Sequence, residues 1–214
     1  MAPGAAALDL GCGTGISTRL LAERGLVVVG VDPNQLMLEQ ARRRGGARYV
    51  RGEATATGLR GASVDLVTVA QAFHWFDIAA TLPELSRVLR PRGSVVAYWN
   101  LRDLSSDFMR AYDAVLRRHS SEYGVLDKPV ETTTALRRAP GVHDPREAAF
   151  RYAQRFDLEG LRGRAYSSSY VIHGVRDHDA FNRALIRLFE RHARQGNVVF
   201  GYRTLALAWR MGSS

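Results

Sequence analysis

One segment near the start of the chain restricts the fold more than any other: Leu8-Asp9-Leu10-Gly11-Cys12-Gly13-Thr14-Gly15. The apolar run Ala5–Leu10 leads into it and reads as a strand. Ile16–Arg24 follows it and reads as a helix. Glycines between a strand and a helix let the backbone turn tightly and bring a ligand against bare main chain at a helix N-terminus. A glycine loop alone is a weak signal, and its spacing sharpens it. The dinucleotide fingerprint is G-x-G-x-x-G, whereas here the glycines fall at 11, 13 and 15 and position 16 is Ile.

The first half of the chain continues this alternation. Leu26–Val31, Ala47–Val50, Val64–Ala70 and Ser94–Trp99 read as strands, with helices at Gln35–Arg44 and Ile78–Leu89, the latter closed by Pro91 and Gly93. Strands separated by helices imply right-handed crossovers and a parallel sheet. The second half is expected to hold a helix over Ser105–Tyr123 and an irregular segment, Gly124–Pro145, containing Pro129, Pro140 and Pro145. A strand over Ala148–Phe156 and a short helix within Leu158–Tyr170 follow. An amphipathic helix over His178–Arg194 carries Phe181, Leu185, Leu188 and Phe189 on one stripe, and a strand over Val198–Trp209 ends the series. The 214 residues make one domain, with a cofactor-binding half (1–100) and a substrate-side half (101–214).

Asp32 ends the second strand, 17 residues after Gly15, where a carboxylate can accept both hydrogen bonds of a ribose diol. Asp32-Pro33-Asn34 is also good helix-start chemistry, and both roles can hold at once. Glu53, in Gly52-Glu53-Ala54 after the third strand, can accept from an adenine amino group; alone it would read as a surface acid. Beyond the fourth strand, Gln71-Ala72-Phe73-His74-Trp75-Phe76-Asp77 concentrates three aromatics and a histidine at the sheet edge where ligands of open α/β sheets sit.

These residues resemble the class I methyltransferases, specifically the small-molecule group called type 11, near the trans-aconitate methyltransferase-like proteins. The match runs through Leu8–Gly15, Val31-Asp32-Pro33, Gly52-Glu53-Ala54, Gln71–Asp77 and Val88-Leu89-Arg90-Pro91-Arg92-Gly93. The resemblance implies an α/β, Rossmann-like sheet of seven strands, mostly parallel with a C-terminal antiparallel hairpin and helices on both faces. It implies S-adenosylmethionine as cofactor and S-adenosylhomocysteine as product. Gly11, Cys12, Gly13, Thr14 and Gly15 would approach the methionine part, with Asp9 helping to hold its amino group. Asp32 would bind the ribose hydroxyls, with Pro33 a further cofactor contact; Met37, Glu53 and Ala54 would meet the adenine, and Gln71 and Ala72 the sulfonium. Glu53 stands where the family more often has Asp. Members of the family carry some thirty residues ahead of the glycine loop that cover the cofactor, whereas seven precede Leu8 here. Another segment or a second subunit, as in a homodimer, is then expected to supply the cover, unless the chain is truncated.

Methyl transfer from a sulfonium is an in-line displacement in which the protein mainly positions two partners. A hydroxyl or protonated amine acceptor needs a base, and His74 is the candidate; the competing reading makes it a packing or hydrogen-bonding residue beside Trp75. Trp75 and Phe76 could wall the substrate pocket. Trp99 and Asn100 end the fifth strand on the same edge, and Tyr166 and Tyr170 lie between the last two strands, where substrate lids are common. The remaining histidines have no metal-ligand spacing, so no metal is expected. The single cysteine, Cys12, cannot form an internal disulfide.

The charge balance bears on partners. The chain holds 29 arginines and one lysine, for a net charge of +9, but the excess is spread, +3 over residues 1–100 and +6 over 101–214. A nucleic-acid binder concentrates charge on one face. The densest run, Arg42-Arg43-Arg44, ends a helix, where cations are favoured by the helix dipole. No run reaches the roughly 18–20 apolar residues of a membrane helix, and no secretion leader is legible. The expectation is a cytoplasmic enzyme moving a methyl group to an O or N atom of a small metabolite, without nucleic acid or membrane as partner. A nucleic-acid methyltransferase, a nicotinamide-dependent oxidoreductase and a cofactor-binding protein without turnover are the rivals.

Overall fold

The computed structural model describes residues 2–123 and 128–211. Seven strands form one sheet: β1 (Ala6–Leu10), β2 (Val27–Asp32), β3 (Arg48–Arg51), β4 (Val64–Ala70), β5 (Leu89–Arg102), β6 (Val142–Phe156) and β7 (Val198–Met211). Eight α-helices are described: α1 (Ile16–Glu23), α2 (Gln35–Arg44), α3 (Ile78–Val88), α4 (Asp107–His119), α5 (Lys128–Arg138), α6 (Leu158–Tyr166), α7 (Ser169–Gly174) and α8 (His178–His192), with a 3-10 turn over Phe73–Trp75. The strand order is β3-β2-β1-β4-β5-β7-β6. The pairs β1/β2, β1/β4, β2/β3 and β4/β5 are parallel, and β5-β7-β6 is antiparallel. This is the Rossmann-like, seven-stranded sheet with a C-terminal hairpin that the resemblance implied. None of the helices among the described residues is long and apolar enough to cross a membrane.

The chain forms two compact units. The first takes residues up to Trp99, Lys128–Ala148 and the chain from Leu205 on; the second takes Asn100–Asp127 and Ala149–Thr204. In the first unit the buried strands β1 and β4 read as nearly continuous apolar runs, as a parallel sheet covered on both faces requires. Cys12, Leu38, Ala41 and Tyr49 make one apolar cluster there, and Ala7, Val28 and Leu66 another. The Tyr49 ring is packed against two glycines. A Cβ on Gly15 would lie 2.5 Å from its Oη, and a Cβ on Gly30 would lie 2.8 Å from its Cδ1. The second unit has its own core, in which Phe108, Tyr112 and Leu116 of α4 pack with Phe181, Leu185 and Leu188 of α8 and with Phe200 of β7.

Two departures from the sequence reading have physical causes. The segment read as irregular, Gly124–Pro145, contains α5 and the start of β6, while residues 124–127 lie outside the described residues. Pro129 is the second residue of α5, in the first turn, where its missing N–H has no intrahelical partner to lose. Pro145 lies in β6, an exposed strand at the sheet's end, where a missing ladder donor is tolerated. The fifth strand begins at Leu89 rather than Ser94. Its pairing with β4 shifts register between Val64 and Leu66, and this irregularity accommodates Pro91. Asp65 at the shift accepts from Ala6 N (2.9 Å) and from Arg90 Nη1 (2.8 Å), which ties β1, β4 and β5 together.

Candidate active site

The glycine loop is held against the end of β2. Gly11 N and Cys12 N both donate to Val31 O, at 2.8 and 3.1 Å. Asp32 completes the clasp: Oδ2 accepts from Gly13 N (2.8 Å) and Oδ1 from Asn34 N (2.8 Å). Asn34, not Asp32, caps α2, its Oδ1 accepting from Leu36 N and Met37 N. The Asp-Pro-Asn run thus divides its work, leaving Asp32 to join the loop to the strand end. Gly11 has φ +71°, and a Cβ there would stand 2.6 Å from Ala72 Cβ. Gly13 has φ +53°, and a Cβ there would meet nothing within 4 Å.

Beside this loop lies a cavity of about 390 Å³, lined by Leu10, Gly11, Pro33, Glu53, Ala54, Thr55, Trp75, Phe76, Asp77 and Thr81. Its walls come from the carboxyl ends of β1, β2 and β4 and from the turn after β3. That turn is fixed by reciprocal backbone bonds between Glu53 and Ala56. At its far side, Glu84 on α3 accepts from Thr57 N (2.8 Å) and Thr57 Oγ1 (2.6 Å). Trp75 is 71% exposed, so its indole is a wall and not core. Gln71 is exposed with φ +58°, a conformation uncommon outside glycine, and its N–H is held by Tyr98 O at 2.9 Å. Met37 lies on α2 and is 40% exposed.

Asp9 is fully buried. Oδ2 accepts from Ser17 Oγ and Thr18 Oγ1, each at 2.6 Å, and Oδ1 from Thr68 Oγ1 at 3.0 Å. Burial raises its carboxyl above the usual range, against the pull of these three hydroxyls. Cys12 is buried, and desolvation pushes its thiol up to about 12, so it stays protonated and unreactive near neutrality.

His74 sits in the 3-10 turn, its ring 4.7 Å from that of Trp75. The fully buried Trp99 donates its Nε1–H to His74 Nδ1 at 3.1 Å. A neutral imidazole that accepts at Nδ1 carries its proton on Nε2. Replacing Trp99 with Phe removes that donor and leaves a small void, an expected loss of about 1–3 kcal/mol. Long-range proton–nitrogen NMR checks it: His74 should be the Nε2–H tautomer in the native protein and lose that preference in Trp99→Phe. In the second unit, Asn100 Oδ1 accepts from Thr204 Oγ1 (2.7 Å), Tyr166 Oη donates to His178 O (3.2 Å) and Tyr170 Oη accepts from Arg102 (2.6 Å). Of the cofactor candidates, Gly11, Pro33, Glu53 and Ala54 line the cavity, together with Trp75 and Phe76; the others do not line it, Trp99 hydrogen-bonds His74, and Asn100, Tyr166 and Tyr170 belong to the other unit.

Residues 8–97 match a family model described as a methyltransferase domain. An uncharacterized methyltransferase of Mycobacterium tuberculosis is 45% identical over 112 residues, 52% of this chain and 46% of that protein. A solved methyltransferase from Anaeromyxobacter dehalogenans, described as type II, superposes with a TM-score of 0.70 at 25% identity, covering 98% of this chain and 90% of that one. Over residues 8–97, and in its fold, the chain is similar to the class I methyltransferases. A malonyl-[acyl-carrier protein] O-methyltransferase of Pseudescherichia vulneris is 33% identical over 150 residues, 68% of this chain and 59% of that protein. The chain spans about half the length of the mycobacterial relative.

A class I methyltransferase takes a nucleoside-bearing cofactor, and the cavity suits one. Its volume lies within the usual range of ligand pockets. Gly13 leaves open space where a side chain would stand. Thr81 Oγ1 is buried with no hydrogen-bond partner among the described residues and lines the cavity, a polar atom waiting for a ligand. Sequence reasoning missed Leu10, Thr55, Asp77 and Thr81 as lining residues. Helical periodicity held a signal for the last: Thr81 lies one turn beyond Asp77, whose Oδ1 caps α3 by accepting from Ala80 N.

Proposed function

We propose that this methyltransferase moves the methyl group of S-adenosylmethionine to an oxygen or nitrogen of a small organic molecule. The observation that carries the reading is the junction of Asp32 with the glycine loop at Gly13 N, beside a cavity whose opposite wall is Glu53-Ala54-Thr55. Asp32 keeps lone pairs for the two ribose hydroxyls, Glu53 accepts from the adenine amino group, and Met37 and Ala54 flank the base. Gly11–Gly15 receive the methionine part, and Gln71 and Ala72 border the sulfonium. Bound here, the cofactor supplies an electrophilic methyl group; the chain's own residues orient it and keep water away.

Trp75 and Phe76 form the acceptor's side of the cavity. The hydrogen bond from Trp99 supports reading His74 as a donor through Nε2 rather than as a base, since the neutral ring's accepting nitrogen is taken. That suits an acceptor which needs no deprotonation, such as a carboxylate, and the O-methyltransferase relative points to oxygen. Calorimetric titration with S-adenosylmethionine and with S-adenosylhomocysteine tests the core of this reading. Binding in the micromolar range is expected, weakened at least about thirtyfold in Asp32→Ala, two hydrogen bonds to a charged group being lost. Absence of binding by the native chain, or equal binding by Asp32→Ala, would sink it.

A further inference from the structure

The second unit holds two half-buried guanidiniums without a counter-charge. Arg102 donates through Nη1 to Tyr170 Oη at 2.6 Å and lies 5.0 Å over the Tyr123 ring and 5.4 Å over the Tyr170 ring. Arg164 donates through Nε to Tyr202 Oη at 2.8 Å and through Nη1 to Ser168 Oγ at 2.9 Å and Ser167 Oγ at 3.4 Å, and lies 5.6 Å over the Phe200 ring. Among the described residues neither pairs with a carboxylate, and Nη2 of each has no protein partner. Asp113 enters this cluster only through the Tyr123 hydroxyl, and its charge is already paired with Arg117 at 2.7 Å.

A third unmet group belongs to the same cluster. Tyr112 is fully buried, its ring 5.0 Å from that of Phe200, and its hydroxyl has no hydrogen-bond partner among the described residues. Burial, with the neighbouring Tyr170, raises that hydroxyl above its ordinary value, and Arg102 and Arg164 pull it down. A partly desolvated cation and an orphaned hydroxyl each cost free energy, and aromatic faces offset only part of it. An oxyanion at this point would satisfy all three, since guanidinium forks and a tyrosine O–H are the donors that carboxylates and phosphates take.

We propose that Arg102, Arg164 and Tyr112 form a binding site for the oxyanion of an organic acid, a carboxylate or a phosphate ester.

The test is titration of the full chain with benzoate, with inorganic phosphate and with benzamide, the neutral isostere of benzoate. Saturable millimolar binding of benzoate or of phosphate is expected, and whichever binds more tightly identifies the acid. Benzamide should not bind. Arg102→Gln and Arg164→Gln should each weaken the interaction about tenfold or more. Tyr112→Phe should weaken it about threefold while leaving Tm unchanged or raised, because a purely structural Tyr112 would lose nothing with its unsatisfied hydroxyl. Binding of neither anion, equal binding of benzamide, or unchanged affinity in Tyr112→Phe overturns the site. A parallel titration with S-adenosylmethionine keeps the two readings apart: cofactor binding without anion binding overturns this site alone, and anion binding without cofactor binding overturns the cofactor reading alone.

Discussion

Glu84→Ala is expected to lower stability by about 3 kcal/mol, a fall in Tm of roughly 6–12 °C for a chain of this size. The carboxylate is 8% exposed and accepts four hydrogen bonds: from Thr57 N and Oγ1, and from Arg87 Nε and Nη2 at 2.6 and 2.7 Å. Removing it leaves a buried amide and hydroxyl unmet on Thr57, which is itself fully buried. The same bonds set the acid limb. The bond from Arg87, joined by those from Thr57 and opposed by burial, holds the Glu84 carboxyl at about 2, well below its ordinary 4.5. A carboxyl lowered on folding stabilises above its unfolded value, and that contribution disappears as pH falls from near 4.5 towards 2. Denaturant unfolding across that range should show native stability rising with pH and a flatter curve for Glu84→Gln; parallel curves would show that the carboxyl contributes nothing. Because Thr57 closes the turn carrying Glu53, Ala54 and Thr55, cofactor affinity should fall with stability.

Gly11→Ala should be about as costly, at roughly 3 kcal/mol, and Gly13→Ala much milder at about 1 kcal/mol. Both glycines have positive φ, which costs a side chain of ordinary chirality about 1–2 kcal/mol. Only Gly11 adds a collision, its Cβ 2.6 Å from Ala72 Cβ and 3.2 Å from Phe76 Cζ, and overpacking of that kind costs about 1–3 kcal/mol. Relief would push Ala72 or Phe76 off the cavity wall, so cofactor affinity is expected to drop about tenfold or more. Thermal unfolding of the two variants side by side decides the matter. Equal losses would mean that the close approach to Ala72 does not constrain the loop.

The cofactor half was legible because its constraints are local. The ends of α2 and β4 coincide with those read from the sequence, since Asn34 caps one and an apolar run defines the other. The second half was less so. Prolines at 129 and 145 suggested irregularity, yet a helix's first turn and an end strand both accept proline, and which of those a proline occupies is a matter of tertiary context. Asp9 shows the same limit within the motif: three hydroxyls from α1 and β4 surround its carboxylate, a convergence no spacing announces. The Trp99–His74 bond joins residues 25 positions apart and fixes a tautomer, which a sequence cannot express.

Tyr49 bears on how such a motif evolves. Its single ring occupies the room beside both Gly15 and Gly30, so neighbouring side chains and the backbone, before any ligand, already demand glycine at these two positions. Along a lineage, a smaller residue at 49 would release neither position: Gly15 keeps its φ of +75°, and a Cβ on Gly30 would still stand 2.9 Å from Cys12 Sγ, so the glycine-rich signature would outlast the ring. Of the loop's three glycines, Gly13 alone opens onto empty space, so only its positive φ and the approach of a ligand are left to keep a side chain from it.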